Sequence, residues 1–131
     1  ASRLSSAMRI WDAARQLPAL RVPVLPADDV HAAYKCYVFV RPQDLKAGWS
    51  RDRILNEMVS RGVPAFSGSC SEVYLEKAFD NTGWRPEQRL ANAKELGETS
   101  MMFLVHPTLT EQEISLTCKV LSEVVEEASL V

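Results

Sequence analysis

The residues richest in chemistry sit together in "RGVPAFSGSCSEVYLEKAF", residues 61–79. Cys70 supplies a thiol, Ser67 and Ser69 supply hydroxyls, and Gly68 leaves bare backbone between them. The apolar residues that follow, Val73, Tyr74, Leu75, Ala78 and Phe79, predict a helix starting at Ser71-Glu72. A helix N-terminus behind such a loop offers two chemistries. Its free N–H groups can cradle an anion such as phosphate, and its dipole can lower the pKa of a thiol. A nucleophilic cysteine also needs a base, and neither His31 nor His106 is near Cys70 in sequence. The plain alternative is a turn, because small residues precede many helices without binding anything.

The other reactive types are scattered. Cys36 and Cys118 have apolar neighbours and read as core residues. The three cysteines are far apart and form no C-x-x-C pair, so neither a disulfide framework nor a zinc site is expected. No H-E-x-x-H, G-x-S-x-G or G-x-x-x-x-G-K-[ST] motif occurs. His31 lies in a connector and reads as solvated, while His106, before Pro107, reads as an end-of-strand residue. Trp11, Trp49 and Trp84 read as covers over core edges. Schiff-base chemistry needs a shielded lysine of depressed pKa. Lys35, Lys46, Lys77, Lys94 and Lys119 all have ordinary polar surroundings. With 15 Lys and Arg spread along the chain and a net charge of −2, nucleic acid is not an expected partner. No apolar run approaches the roughly 20 residues that span a bilayer, and the first residues lack the apolar segment of a signal peptide. No membrane partner is expected, and cytoplasm is the expected location.

The elements that must position these residues follow from periodicity. A length of 131 residues suits one domain. Residues 1–17 lead in with a helix, whose stripe runs through Leu4, Met8, Trp11 or Ala14, and Leu17. Residues 18–30 are a Pro-rich connector, with Pro18, Pro23 and Pro26 opposing both helix and ladder. "YKCYVFV", residues 34–40, predicts a strand. Ser50 predicts an N-cap with Asp52 in the first turn. Ile54, Leu55, Met58 and Val59 form that helix's buried stripe, and Gly62 terminates it. "VPAF" is a short edge strand. After the helix from Ser71, Pro86 opens another that carries Leu90, Ala93 and Leu96 and ends at Gly97. "SMMFLV", residues 100–105, predicts a strand buried on both faces. Thr110 to Glu113 forms a capping box ahead of the last helix, with Ile114, Cys118, Leu121, Val125 and Ala128 on one side. The expected fold is an α/β two-layer sandwich (α+β): a short, mostly antiparallel sheet of about three strands with helices packed on one face.

Three segments together resemble one family. "HAAYKCYVFV", "RDRILNEMVSRGVPAFSGSCSEVYLEKAF" and "LANAKELGETSMMFLVHPTLTEQEI" are similar to the C-terminal part of the DegT/DnrJ/EryC1/StrS aminotransferases. The likeness runs from about residue 20 to about 128. Its most specific pieces are the R-G-V strand start, the L-E-K-A-F stretch, and "HPTLTEQE" leading into the last helix. The resemblance implies the small domain of a pyridoxal-phosphate enzyme of fold type I, one that aminates keto-sugars on nucleotide carriers. In that family the Schiff-base lysine, the aspartate on the pyridine nitrogen and most phosphate ligands belong to the large N-terminal domain. That domain is absent here, and no lysine of this chain precedes a Gly-rich stretch. The resemblance therefore implies no catalytic or cofactor-binding residue in residues 1–131 and no metal. The small domain would close over the active site, partnered by the large domain of the same polypeptide, with the intact enzyme a homodimer.

The chain departs from the family's pattern at the loop. Members often carry a histidine after the R-G-I/V strand, and register from Arg61-Gly62-Val63 puts Gly68 there. Tyr74 occupies a second frequent histidine position. Phe66, Ser67, Gly68, Ser69 and Cys70 are then the wall of the substrate pocket rather than its catalyst. Two other classes stay open: a stand-alone binding or assembly module, and a small thiol enzyme using Cys70.

Overall fold

A computed structural model describes residues 2–131. Helix α1 spans Ser2–Arg15 and buries Ala7, Ile10, Trp11 and Ala14. Its stripe is turned by one residue from the expected one, so that Met8 is exposed. Two alanines on the buried face leave room for the last helix to approach. Pro18 lies just past the end of α1.

The Pro-rich connector holds a strand, against the expectation drawn from its prolines. β1, Leu20–Arg21, pairs antiparallel with the next strand through Leu20↔Val40 and Arg21↔Phe39. Pro18 and Pro23 flank these two residues without interrupting them, and a short edge strand tolerates that. β2 is Cys36–Val40, and Tyr34 and Lys35 fall outside it. Helix α2, Arg51–Ser60, starts as expected, with the Ser50 hydroxyl accepting from the Arg53 N–H. It ends at Gly62, whose φ of +85° favours glycine, with the Val63 N–H closing back on the Met58 carbonyl. Val59, expected on the buried stripe, is exposed. β3, Ala65–Phe66, follows.

The helix expected from Ser71 is absent. Residues 73–79 form two 3₁₀ turns, Val73–Leu75 and Lys77–Phe79, with no buried residue in either. Their carbonyls have another partner: the Arg85 guanidinium donates to those of Tyr74, Leu75 and Glu76. Those carbonyls are therefore spoken for outside a helical ladder. Helix α3 begins at Ala91 rather than near Pro86, runs through Gly97 to Thr99, and buries only Thr99. Trp84, expected over a core edge, is exposed, whereas Trp11 lies wholly inside the core.

β4, Ser100–Phe103, is buried at all four residues. Its place explains this, because the four-stranded sheet runs β1-β2-β4-β3, antiparallel throughout. The register gives two faces. Cys36 and Val38 lie opposite Phe103 and Met101 on the helix side, all fully buried. On the other face Tyr37, Met102 and Phe66 form one cross-strand row, with Phe39 opposite Ser100 beside it. Helix α4, Glu111–Ala128, packs on α1 and α2.

Both halves of the capping box are present at the start of α4: the Thr110 hydroxyl accepts from the Glu113 N–H, and the Glu113 carboxylate accepts from the Thr110 N–H. The same contacts hold the Glu113 carboxyl below its usual range. Thr110→Ala should cost about 1 kcal/mol, read as a lower urea midpoint with an unchanged m-value.

Candidate functional site

The loop of residues 67–71 leaves the end of β3 and folds back over the second face of the sheet. Four contacts seat it. The Ser100 hydroxyl donates to the Ser67 carbonyl at 2.8 Å. Gly68 sits at φ +92°, so close to Tyr37 that an added Cβ would lie 2.6 Å from the ring's Cε1. The Ser69 and Tyr37 hydroxyls share a hydrogen bond of 3.1 Å. Ser71 lies against α3 where Gly97 has no side chain, since a Cβ there would stand 2.3 Å from its Oγ. Gly68 favours glycine for both conformation and contact, whereas at Gly97 an added Cβ would make the Ser71 hydroxyl turn away.

The structure thus brings Ser67, Gly68, Ser69 and Cys70 to one place. Ser67, Ser69, Cys70 and Ser71, with Glu72, Lys94 and Glu98, line an open cleft of about 370 Å³, within the size range of small-molecule sites, while Gly68 packs against the Tyr37 ring. A larger cleft of about 530 Å³ adjoins it, sharing Lys94 and Glu98 and lined also by Arg21, Arg41 and Glu95. The smaller cleft is the candidate site, because only it collects the hydroxyls and backbone of the loop. In the larger one the cations are already engaged: Arg21 stacks on Phe39, Arg41 donates to the Pro18 carbonyl, and Lys94 faces Glu98. Phe66 stands at the margin, half exposed at the end of β3.

Without a helix at Ser71, the dipole argument for an activated Cys70 loses its basis, and so does the anion cradle. The Cys70 thiol is in fact pushed up, first by desolvation and then by the hydrogen bond it donates to Glu76. A neutral thiol beside a carboxylate is a poor nucleophile. Cys36 is raised to about 12 by burial, with Cys118 a smaller cause. Neither histidine bonds to the loop among the described residues. His31 accepts from the Ala33 N–H and meets Trp11 edge-on, and His106 closes a turn with Thr108. No group of three or more His, Cys, Asp or Glu side chains could hold a metal among the described residues.

Tyr74 does not face the cleft as a solvated hydroxyl. It donates to Glu72 at 2.7 Å and accepts from the Leu90 N–H at 2.9 Å. Arg89, and then Tyr74, hold the Glu72 carboxyl down to about 2. This cluster ties residues 72–74 to residues 89–90 and holds Glu72, which lines the cleft. Tyr37, Gly97 and Ser100 escaped sequence reasoning. For Tyr37 a signal existed, since strand alternation places it opposite Cys36 and Val38.

No protein-family model and no curated protein matches the chain. Solved structures do. The aminotransferase from Psychrobacter cryohalolentis superposes with a TM-score of 0.90 and is 51% identical, across 96% of this chain and 34% of its own length. A DegT DnrJ EryC1 StrS aminotransferase from Brucella abortus shares the fold at TM-score 0.74 and 20% identity, over 93% of this chain and 30% of that one. The chain is similar to the C-terminal third of aminotransferases of the DegT/DnrJ/EryC1/StrS type. NtdA from Bacillus subtilis, solved with bound cofactor PMP, shares the same fold at TM-score 0.74 and 18% identity, over 95% of this chain and 28% of its own. The chain spans about a third of the length of each of these three structures. No helix among the described residues is long and apolar enough to cross a membrane.

The likeness to aminotransferases and a raised thiol pKa both weigh against Cys70 as a nucleophile. Cys70→Ser in the complete protein should leave turnover within about threefold of the parent, whereas an essential acid–base group or nucleophile costs on the order of a hundredfold. Steady-state kinetics on the purified variant decide between the two.

Proposed function

We propose that this chain is the C-terminal small domain of a pyridoxal-phosphate-dependent aminotransferase. The complete enzyme, a cytoplasmic homodimer, would transfer an amino group to a nucleotide-linked keto-sugar in polysaccharide or secondary-metabolite biosynthesis. The observation that carries the proposal is the 51% identity to an aminotransferase of which this chain spans a third. Three free thiols suit a reducing compartment.

The chain's own residues do not fit the cofactor. A Schiff-base lysine needs a shielded site, yet Lys46, Lys77, Lys94 and Lys119 are exposed and Lys35 is only half buried, near the Tyr34 ring. Cofactor and lysine therefore belong to the large domain, and the small domain does the rest. Ser67 and Ser69 present hydroxyls suited to a polyhydroxylated substrate, Gly68 lets the loop lie close on the Tyr37 ring, and closure of the domain excludes water.

The test uses the complete polypeptide with pyridoxal phosphate, glutamate as amino donor, and a panel of UDP- and dTDP-linked keto-hexoses. One of these should be aminated, and the 131-residue chain alone should aminate none. Borohydride reduction should fix the cofactor to one lysine outside residues 1–131. Stoichiometric labelling of a single lysine inside them would refute the proposal.

A further inference from the structure

Arg51 has no role in the functional reading so far, yet its side chain is only 14% exposed. It is the first residue of α2, where a charged side chain would ordinarily turn to solvent. Instead one guanidinium nitrogen, Nη1, donates to two backbone carbonyls, that of Gly97 at 3.0 Å and that of Ser100 at 2.8 Å. Its Nε donates to Asp52 at 2.6 Å, which fixes the plane of the fork.

The two residues it holds are those that seat the two ends of the loop. Ser100 donates to the Ser67 carbonyl, and Gly97 lies against Ser71. They are also where the chain turns from α3 into β4. The α3 C-terminal carbonyls have no helical partners of their own, and a charged donor satisfies one of them. One guanidinium thus ties α2, the α3–β4 junction and, through it, both anchor points of the loop.

We infer that Arg51 is a positioning residue for the substrate. Without touching it, Arg51 fixes the height of the Ser67–Ser71 loop over the sheet. The inference rests on the reading that this loop lines the keto-sugar pocket. A misplaced wall weakens binding of the large substrate more than it slows the chemistry, because the reacting groups lie on the other domain.

The probe is the nucleotide-linked keto-hexose that turns over in the assay above, with the complete, cofactor-loaded protein. Arg51→Gln should raise KM for that sugar by about tenfold while kcat stays within about threefold. Arg51→Lys should recover most of the loss, since an ammonium can still donate to both carbonyls. Gly68→Ala, a change in the loop itself, serves as the reference. If Gly68→Ala raises KM and Arg51→Gln does not, the inference falls while the pocket reading stands. If neither raises KM, the loop is not part of the pocket and both fall. Should Arg51→Gln fail to fold, Arg51→Met carries the test, because it keeps the aliphatic stem and removes the donors to the Gly97 and Ser100 carbonyls. A raised KM would support the inference, and an unchanged KM would overturn it.

Discussion

Gly68→His in the complete protein should raise KM for the proposed keto-sugar substrate by about tenfold or more, because two costs act at once. The backbone at Gly68 sits at φ +92°, where a residue with a Cβ is strained. That strain is worth on the order of 1–3 kcal/mol. The Cβ would also lie 2.6 Å from Tyr37 Cε1, so either the ring or the loop must move. A ring displaced from Gly68 also loses its hydrogen bond with Ser69. Cofactor affinity should not change, because no lysine of this chain lies in a shielded site. Steady-state kinetics beside a pyridoxal-phosphate titration separate the outcomes. Unchanged KM and kcat would show that the loop does not line the pocket. Lost cofactor affinity with an intact fold would place the loop at a different part of the site.

Phe103→Ala should cost about 3–5 kcal/mol of stability, a large share of what a domain of this size has. Phe103 is fully buried in β4, between the two neighbouring strands. The residues directly opposite it are small, Cys36 on one side and Ala65 on the other. The ring fills the space they leave under the helices, and its removal opens a cavity that small neighbours cannot close. Phe66 is the informative control. It lies on β3 beside Met102, on the other face, and is 47% exposed. Phe66→Ala should cost less than about 1 kcal/mol. Equal losses in urea unfolding would mean that the two faces of the sheet have been assigned the wrong way round.

Where packing and local chemistry agree, the sequence was legible. β2 alternates, β4 is apolar throughout, and the α4 capping box depends on four consecutive residues, so each stands close to its expected place. β1 was hidden because two residues carry no period, and their pairing with Val40 and Phe39 is decided by tertiary contact. The stretch from Ser71 to Phe79 misled for the opposite reason. Its apolar spacing is helical, but nothing in this chain buries it, and Arg85 satisfies its carbonyls from outside. Apolar spacing makes a helix only where there is a surface to pack on.

The candidate site was half legible. The run Ser67 to Cys70 stood out by composition, and family resemblance gave it a place. What seats it did not stand out, because Tyr37, Gly97 and Ser100 lie at least 26 residues away in sequence, and their role exists only once β2, β4 and α3 are assembled. Arg51 is hidden further still, since a basic residue at the start of a helix runs against the dipole and reads as ordinary surface.

The most direct measurement is a crystal structure of the complete, cofactor-loaded protein with the nucleotide-linked amino-sugar product bound. The sugar should lie within about 4 Å of atoms of residues 67–70, with Arg51 still on the Gly97 and Ser100 carbonyls and the cofactor held wholly by the preceding domain. A sugar bound away from this loop, or a cofactor lysine found within residues 1–131, would contradict the assignment of this chain as the substrate-closing domain.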